Sequence, residues 1–163
     1  MRVAAFGLLA VTMAAASVAL NTRIEKRFFW GPMLDVIYRS VPPEVQLTNF
    51  AGSNPRKNDV ISMQLDGIAA GTEPRAVAEK FRLALLAALE AKYREVREKA
   101  GLPPTPSGLS CLFRQLEDQS GVTAKIDGKD FPTAKFVMDV KMRKPFAAIP
   151  APPVVPVRPK PKG

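Results

Sequence analysis

The chain has 163 residues, 47% apolar and 24% charged, the proportions of one ordinary globular domain with appendages. It holds no histidine and one cysteine, which excludes a His-containing triad, a zinc site of the usual Cys/His kind and an intramolecular disulfide. Lys and Arg exceed Asp and Glu by 24 to 15, yet six of those nine net charges fall in the last 23 residues. The basic balance therefore belongs mostly to a tail, which argues against a nucleic-acid-binding face.

Val3 to Leu20 is an uncharged run of eighteen residues, with Arg2 ahead of it and Arg23, Lys26 and Arg27 behind. As a helix it extends about 27 Å, close to the ~30 Å of a bilayer's hydrocarbon core. Residues 1–22 accordingly read as an N-terminal membrane anchor. Small residues at Ser17-Val18-Ala19 keep a cleaved signal peptide as the alternative. Either way the remainder is expected to be exported.

Ile24 to Ser40 reads as helix, restarted at Pro32 because proline fits only the first helical turn. Trp30, Met33, Leu34, Ile37 and Tyr38 give it an apolar face, and Val41-Pro42-Pro43 ends it. Glu44 to Phe50 is a strand with Val45 and Leu47 on one face. After turn residues from Gly52 to Asn58, Val60 to Ala69 alternates Ile61, Met63 and Leu65 against polar neighbours, which completes a hairpin.

Thr72 is the expected N-cap of the next helix, with Pro74 just inside it. From Arg75 to Ala100, Val77, Phe81, Leu85, Ala88 and Leu89 recur at three- and four-residue steps and form a core-facing stripe. Gly101 and Pro103-Pro104 stop it. Leu109 to Glu117 is a further strand. Phe136, Met138, Val140 and Met142 alternate as the last one. Ser120 to Thr133 between them reads as turn-rich, with Asp127-Gly128 closing a small hairpin of its own. Seven prolines in the nineteen residues from Pro145 onward build no core, and residues 145–163 read as an extended basic tail.

The order is helix, hairpin, helix, hairpin. Two αββ units share one four-stranded sheet in an α+β arrangement, a permuted ferredoxin-like αββ-αββ sandwich over residues 23–144, preceded by one transmembrane helix. That fold hosts many functions and selects none.

Individual features read blandly. Cys111 is a small buried hydrophobe, with an intermolecular disulfide as its alternative. Glu117, Asp118, Asp127 and Asp130 lack the ligand spacing of a calcium loop and form a solvated loop. Gly67 to Thr72 lacks the residues of a phosphate loop. Arg75, Lys80, Arg82, Lys92, Arg94, Arg97 and Lys99 share their helix with four acids and read as a solvated face. Pro156-Val157-Arg158-Pro159 is a PxxP pattern in a segment where proline is dense. No catalytic, metal or cofactor-binding residue is expected.

One resemblance is carried by extended runs. Trp30-Gly31-Pro32-Met33-Leu34-Asp35-Val36-Ile37 and then Val41-Pro42-Pro43-Glu44-Val45-Gln46-Leu47-Thr48-Asn49-Phe50 follow an aromatic and leucine pattern that leads into a first strand. Ile61 to Ala69, the helix from Val77 to Leu83, and Phe136 to Val140 continue it. The pattern resembles PilN-type inner-membrane assembly proteins of type IV pili and the related GspL-type proteins of type II secretion.

The resemblance implies a non-enzymatic, single-pass scaffold of the bacterial inner membrane, anchored through Val3–Leu20, with its C-terminal domain in the periplasm. It implies a PilO-like single-pass partner of similar fold, a homodimer, or both, and no nucleic acid. Phe28, Trp30, Leu34, Val45 and Leu47 are the candidate partner-binding residues, on the early helix and first strand. The alternatives are a cleaved periplasmic or secreted binding module of the same fold, and a basic binder of nucleic acid or wall polymer.

Overall fold

A computed structural model describes residues 30–55 and 58–145. The Val3–Leu20 run, the stretch Ile24 to Phe29 with Phe28 in it, and the tail beyond Pro145 lie outside the described residues.

Helix α1 (Trp30–Ser40) opens the described chain with Pro32 in its first turn, as the fixed φ of proline requires. Strands β1 (Val45–Ser53) and β2 (Val60–Ala70) follow as an antiparallel pair. Helix α2 (Pro74–Lys99) leads to β3 (Ser110–Ile126) and β4 (Lys129–Arg143). All neighbours are antiparallel, and the sheet order is β1-β2-β4-β3, so the two hairpins meet through their second strands.

Period-2 alternation sorts the strands into two faces. Ile61, Met63, Leu65 and Ala69 of β2 and Phe136, Met138, Val140 and Met142 of β4 are buried on one face. Met33 and Ile37 of α1, and Ala78, Phe81, Leu85, Leu89 and Tyr93 of α2, complete the same core cluster. Both helices thus cover one face of the sheet and, among the described residues, nothing covers the other, an α+β layer arrangement. Phe136 is the centre of the aromatic packing, with Phe81 and Phe113 about it at centroid distances of 6.0 and 5.9 Å.

Phe136 also explains a glycine. A Cβ on Gly67 would lie 2.5 Å from the Phe136 ring and 2.7 Å from the Gln46 carbonyl oxygen. The cross-strand partner of Phe136 must therefore lack a side chain.

Four expectations are corrected. The N-cap of α2 is Glu73 rather than Thr72, and no side chain caps it; Pro74 takes the first helical position, where no N–H is needed. Ser120 to Thr133 is not a separate turn region, because β3 and β4 run as one long hairpin to the turn at Asp127-Gly128. Both turn residues have positive φ, 50° and 79°, as a two-residue hairpin loop demands. The turn signals from Ser120 onward mark a register shift instead, and buried Thr133 lies within hydrogen-bond distance of Val122 O and Gln119 Oε1 across it.

The remaining two concern burial on α2. The stripe is Ala78, Phe81, Leu85, Leu89, Tyr93 and Arg97, with Val77 and Ala88 only half-buried at its margin. Arg97, assigned above to a solvated face, is 3% exposed. At the helix end, Gly101 with φ 65° donates its N–H to Glu98 O, and Leu102 N–H donates to Arg97 O, a Schellman stop where the Gly-Pro-Pro spacing predicts it.

Candidate docking site

The chemistry-bearing side chains fall into three groups: the open face of the sheet, the loop after α2, and the two sheet borders.

On the open face, outward positions of all four strands join in one polar chain. Asn49 Nδ2 of β1 donates to Asp66 Oδ2 of β2 at 3.1 Å, and Gln64 Nε2 donates to Asp66 Oδ1 at 2.9 Å. Arg114 of β3 donates from Nη1 to Gln64 Oε1 and forks onto Asp139 of β4 at 3.0 and 2.8 Å. Hydrogen bonds from Gln64 and Asn49, with Lys135 and Arg114 nearby, hold the Asp66 carboxyl below the usual carboxylate range. Arg114 crosses to Gln64 where β3 shifts register between Phe113 and Gln115. This face is a satisfied polar staple; its fork engages Asp139 rather than a ligand.

Behind α2, Arg97 has no carboxylate partner among the described residues. Its guanidinium donates twice to Pro103 O, at 3.0 and 2.8 Å, and once to Pro145 O at 2.6 Å, with its plane beside the Tyr93 ring. Ser107 Oγ bonds Glu90 of the same helix, and Tyr93 and Thr105 hydroxyls meet at 3.2 Å. Together these tie the Pro103–Ser107 loop and the last described residue to one helix, and they wall a cleft of about 610 Å³ with Leu102, Pro104 and Pro106.

Five of the six other bases of α2 pair with acids: Arg75 with Asp118, Arg82 with Glu79, Arg94 with Glu90, and Lys92 and Lys99 with Glu95. Arg82 holds Glu79 below its ordinary range, and Lys99 with Lys92 does the same to Glu95. Bases so engaged leave little unscreened charge for a polyanion. Cys111 is 1% exposed with Sγ 3.2 Å from Met138 Sδ, and burial pushes its thiol up to about 11. It is a core residue, as its place in the strand predicts. Among the described residues no group of three or more His, Cys, Asp or Glu is placed to hold a metal ion, and no helix is long and apolar enough to cross a membrane.

The four described candidate partner-binding residues, Trp30, Leu34, Val45 and Leu47, lie at the β1 border, but with different exposures. Trp30 stands over β1, its ring against Phe50 edge-on at 5.7 Å and over Gly52, where a Cβ would meet it at 2.6 Å. Leu34 is 43% exposed and Tyr38 80%. Val45 is 6% exposed and belongs to the core, with Leu47 packed against it. Val45 and Leu47 thus hold β1 in place, whereas Leu34 faces solvent. Tyr38 and the arginines at the opposite border, Arg75 and Arg82, were not singled out as docking determinants by the sequence. Tyr38 was legible four residues beyond Leu34; the border arginines depend on strand order. Searches against protein-family models, curated proteins and solved structures find no match to this chain.

Proposed function

We propose that this chain is a non-enzymatic scaffold of the bacterial cell envelope, an inner-membrane assembly component of a type IV pilus or type II secretion-like machine that acts by protein–protein docking. The observation that carries the docking reading is the solvent-facing Leu34 and Tyr38 of α1 beside the uncharged border strand β1; the sheet order β1-β2-β4-β3 with both helices on one face fits the fold that the resemblance implies. A ferredoxin-like sandwich interleaves two βαβ units; begun at its first helix, it has this order and the sequence αββ-αββ. The PilN-type resemblance implies that permuted form.

The uncharged Val3–Leu20 run supports membrane anchorage immediately ahead of the domain. The polar staple on the open face and the paired bases of α2 support docking over catalysis or polyanion binding. Fractionation of the native protein with intact-mass analysis, followed by cross-linking and pull-down from the membrane fraction, tests the reading. An uncleaved chain in the inner membrane, recovered with a second single-pass protein of similar fold, is the expected result. A product beginning near Leu20 in the soluble fraction, without that partner, overturns it.

A further inference from the structure

We infer that β1, and not β3, is the edge through which this domain associates, and that its occupant is the β1 of a second copy, paired antiparallel about a twofold axis near Ala51. The inference rests on the docking reading above and names the edge, the partner and the register.

Both strands border the sheet, but only one is blocked. Along β3, Arg82 Nη1 donates to the Cys111 carbonyl at 3.0 Å and Arg75 Nη2 to the Leu116 carbonyl at 3.1 Å. Arg75 is anchored further by Asp118. The strand itself carries Arg114, Glu117, Asp118 and Lys125. Charged side chains and occupied carbonyls are how a sheet edge resists strand addition. Among the described residues no arginine or lysine side chain hydrogen-bonds a backbone group of β1 as Arg75 and Arg82 do on β3, and its nine residues carry no charge. A register shift separates Val45–Leu47 from Asn49–Ser53, so the second stretch is the continuous edge.

Helix geometry extends this edge into a surface. Residues four apart on a helix drift by only about 40°, so Leu34 and Tyr38 follow Trp30 along one flank of α1. Trp30 stands on Phe50 and Gly52 of β1, which puts the exposed Leu34 and Tyr38 on the β1 side of the helix layer. A strand added to β1 lies below them.

A second copy satisfies both layers at once. Antiparallel pairing of Asn49–Ser53 with itself sets uncharged residues opposite uncharged residues, and the same rotation brings two α1 flanks together, apolar to apolar. It also sends the Glu44 end of each strand toward the other end of its neighbour, where Lys144 Nζ sits 2.7 Å from Pro55 O. The two Glu44 side chains are thereby kept apart. Parallel pairing would set Glu44 beside Glu44.

The test uses the full chain in detergent. Ala51 is exposed and points to the open face, so Ala51→Cys puts one thiol of each copy near the axis, while Cys111 stays buried. Mild oxidation of A51C should yield a disulfide-linked dimer, and L112C on β3 should not. Ala51→Lys places like charges face to face and should weaken self-association by about fivefold or more, with an unchanged melting temperature. A chain monomeric at tens of micromolar, a dimer linked through L112C, or an A51C chain that does not link, overturns the inference. A monomer that still co-purifies with a second membrane protein sinks the β1 dimer and leaves the scaffold reading standing. A β1-linked dimer found only in the soluble fraction does the reverse.

Discussion

Arg97 shows how a single side chain organises one end of the molecule. Its buried guanidinium is tolerated because three carbonyl bonds replace its water, and hydrogen bonds to a charged group are the stronger kind. Arg97→Ala should cost on the order of 3 kcal/mol in urea unfolding. Arg97→Lys should recover only part of that, because an ammonium cannot fork across Pro103 and Pro145. Equal stability of all three chains would contradict the staple. Gly67→Ala should cost about 2 kcal/mol in the same assay, since the added methyl meets both the Phe136 ring and a backbone oxygen. At Cys111, a thiol-specific reagent should react negligibly in native buffer at pH 8 and fully in denaturant, because the thiol is enclosed and its ionisation is suppressed. Rapid native labelling would contradict the packing.

At the scale of elements, the polar chain across the open face predicts an acid limb of stability. Asp66, Glu79 and Glu95 all titrate lower in the folded state than in the unfolded chain. A depressed carboxyl stabilises above its unfolded pKa, and that contribution is lost as pH falls through the folded value. The urea midpoint should therefore be flat near neutrality and fall on acidification below about pH 4. Asp66→Asn should flatten part of that fall, and an unchanged acid limb in this variant would remove Asp66 from the cause.

The legible elements were those with long, unambiguous periods. β2, the core face of β4 and the stripe of α2 were readable because burial alone decides them. Arg97 falls in the same four-residue series as Phe81, Leu85, Leu89 and Tyr93, a signal that charge type masked. The β3–β4 hairpin was read as interrupted because Ser120, Gly121 and Asp130 are turn formers locally, while the cross-strand register that absorbs them is a long-range property. The Asn49–Asp66–Gln64–Arg114–Asp139 chain was illegible for the same reason: its members span 90 residues, and only strand order makes them neighbours.

At the scale of the whole molecule, the layers are asymmetric in two senses. One sheet face is buried under both helices and the other is knitted together by polar bonds; one border is held by arginines and the other is an uncharged strand. A domain built this way has one direction in which its sheet can grow. Its apolar α1 flank lies on that same side, which is the arrangement the proposed docking role calls for. Amide hydrogen exchange of the full chain, followed by mass spectrometry at low and high protein concentration, tests this most directly. The expected result is protection of residues 45–53 that rises with concentration, with 110–116 unchanged. Protection of β1 that is indifferent to concentration, or a change at β3 instead, would contradict it.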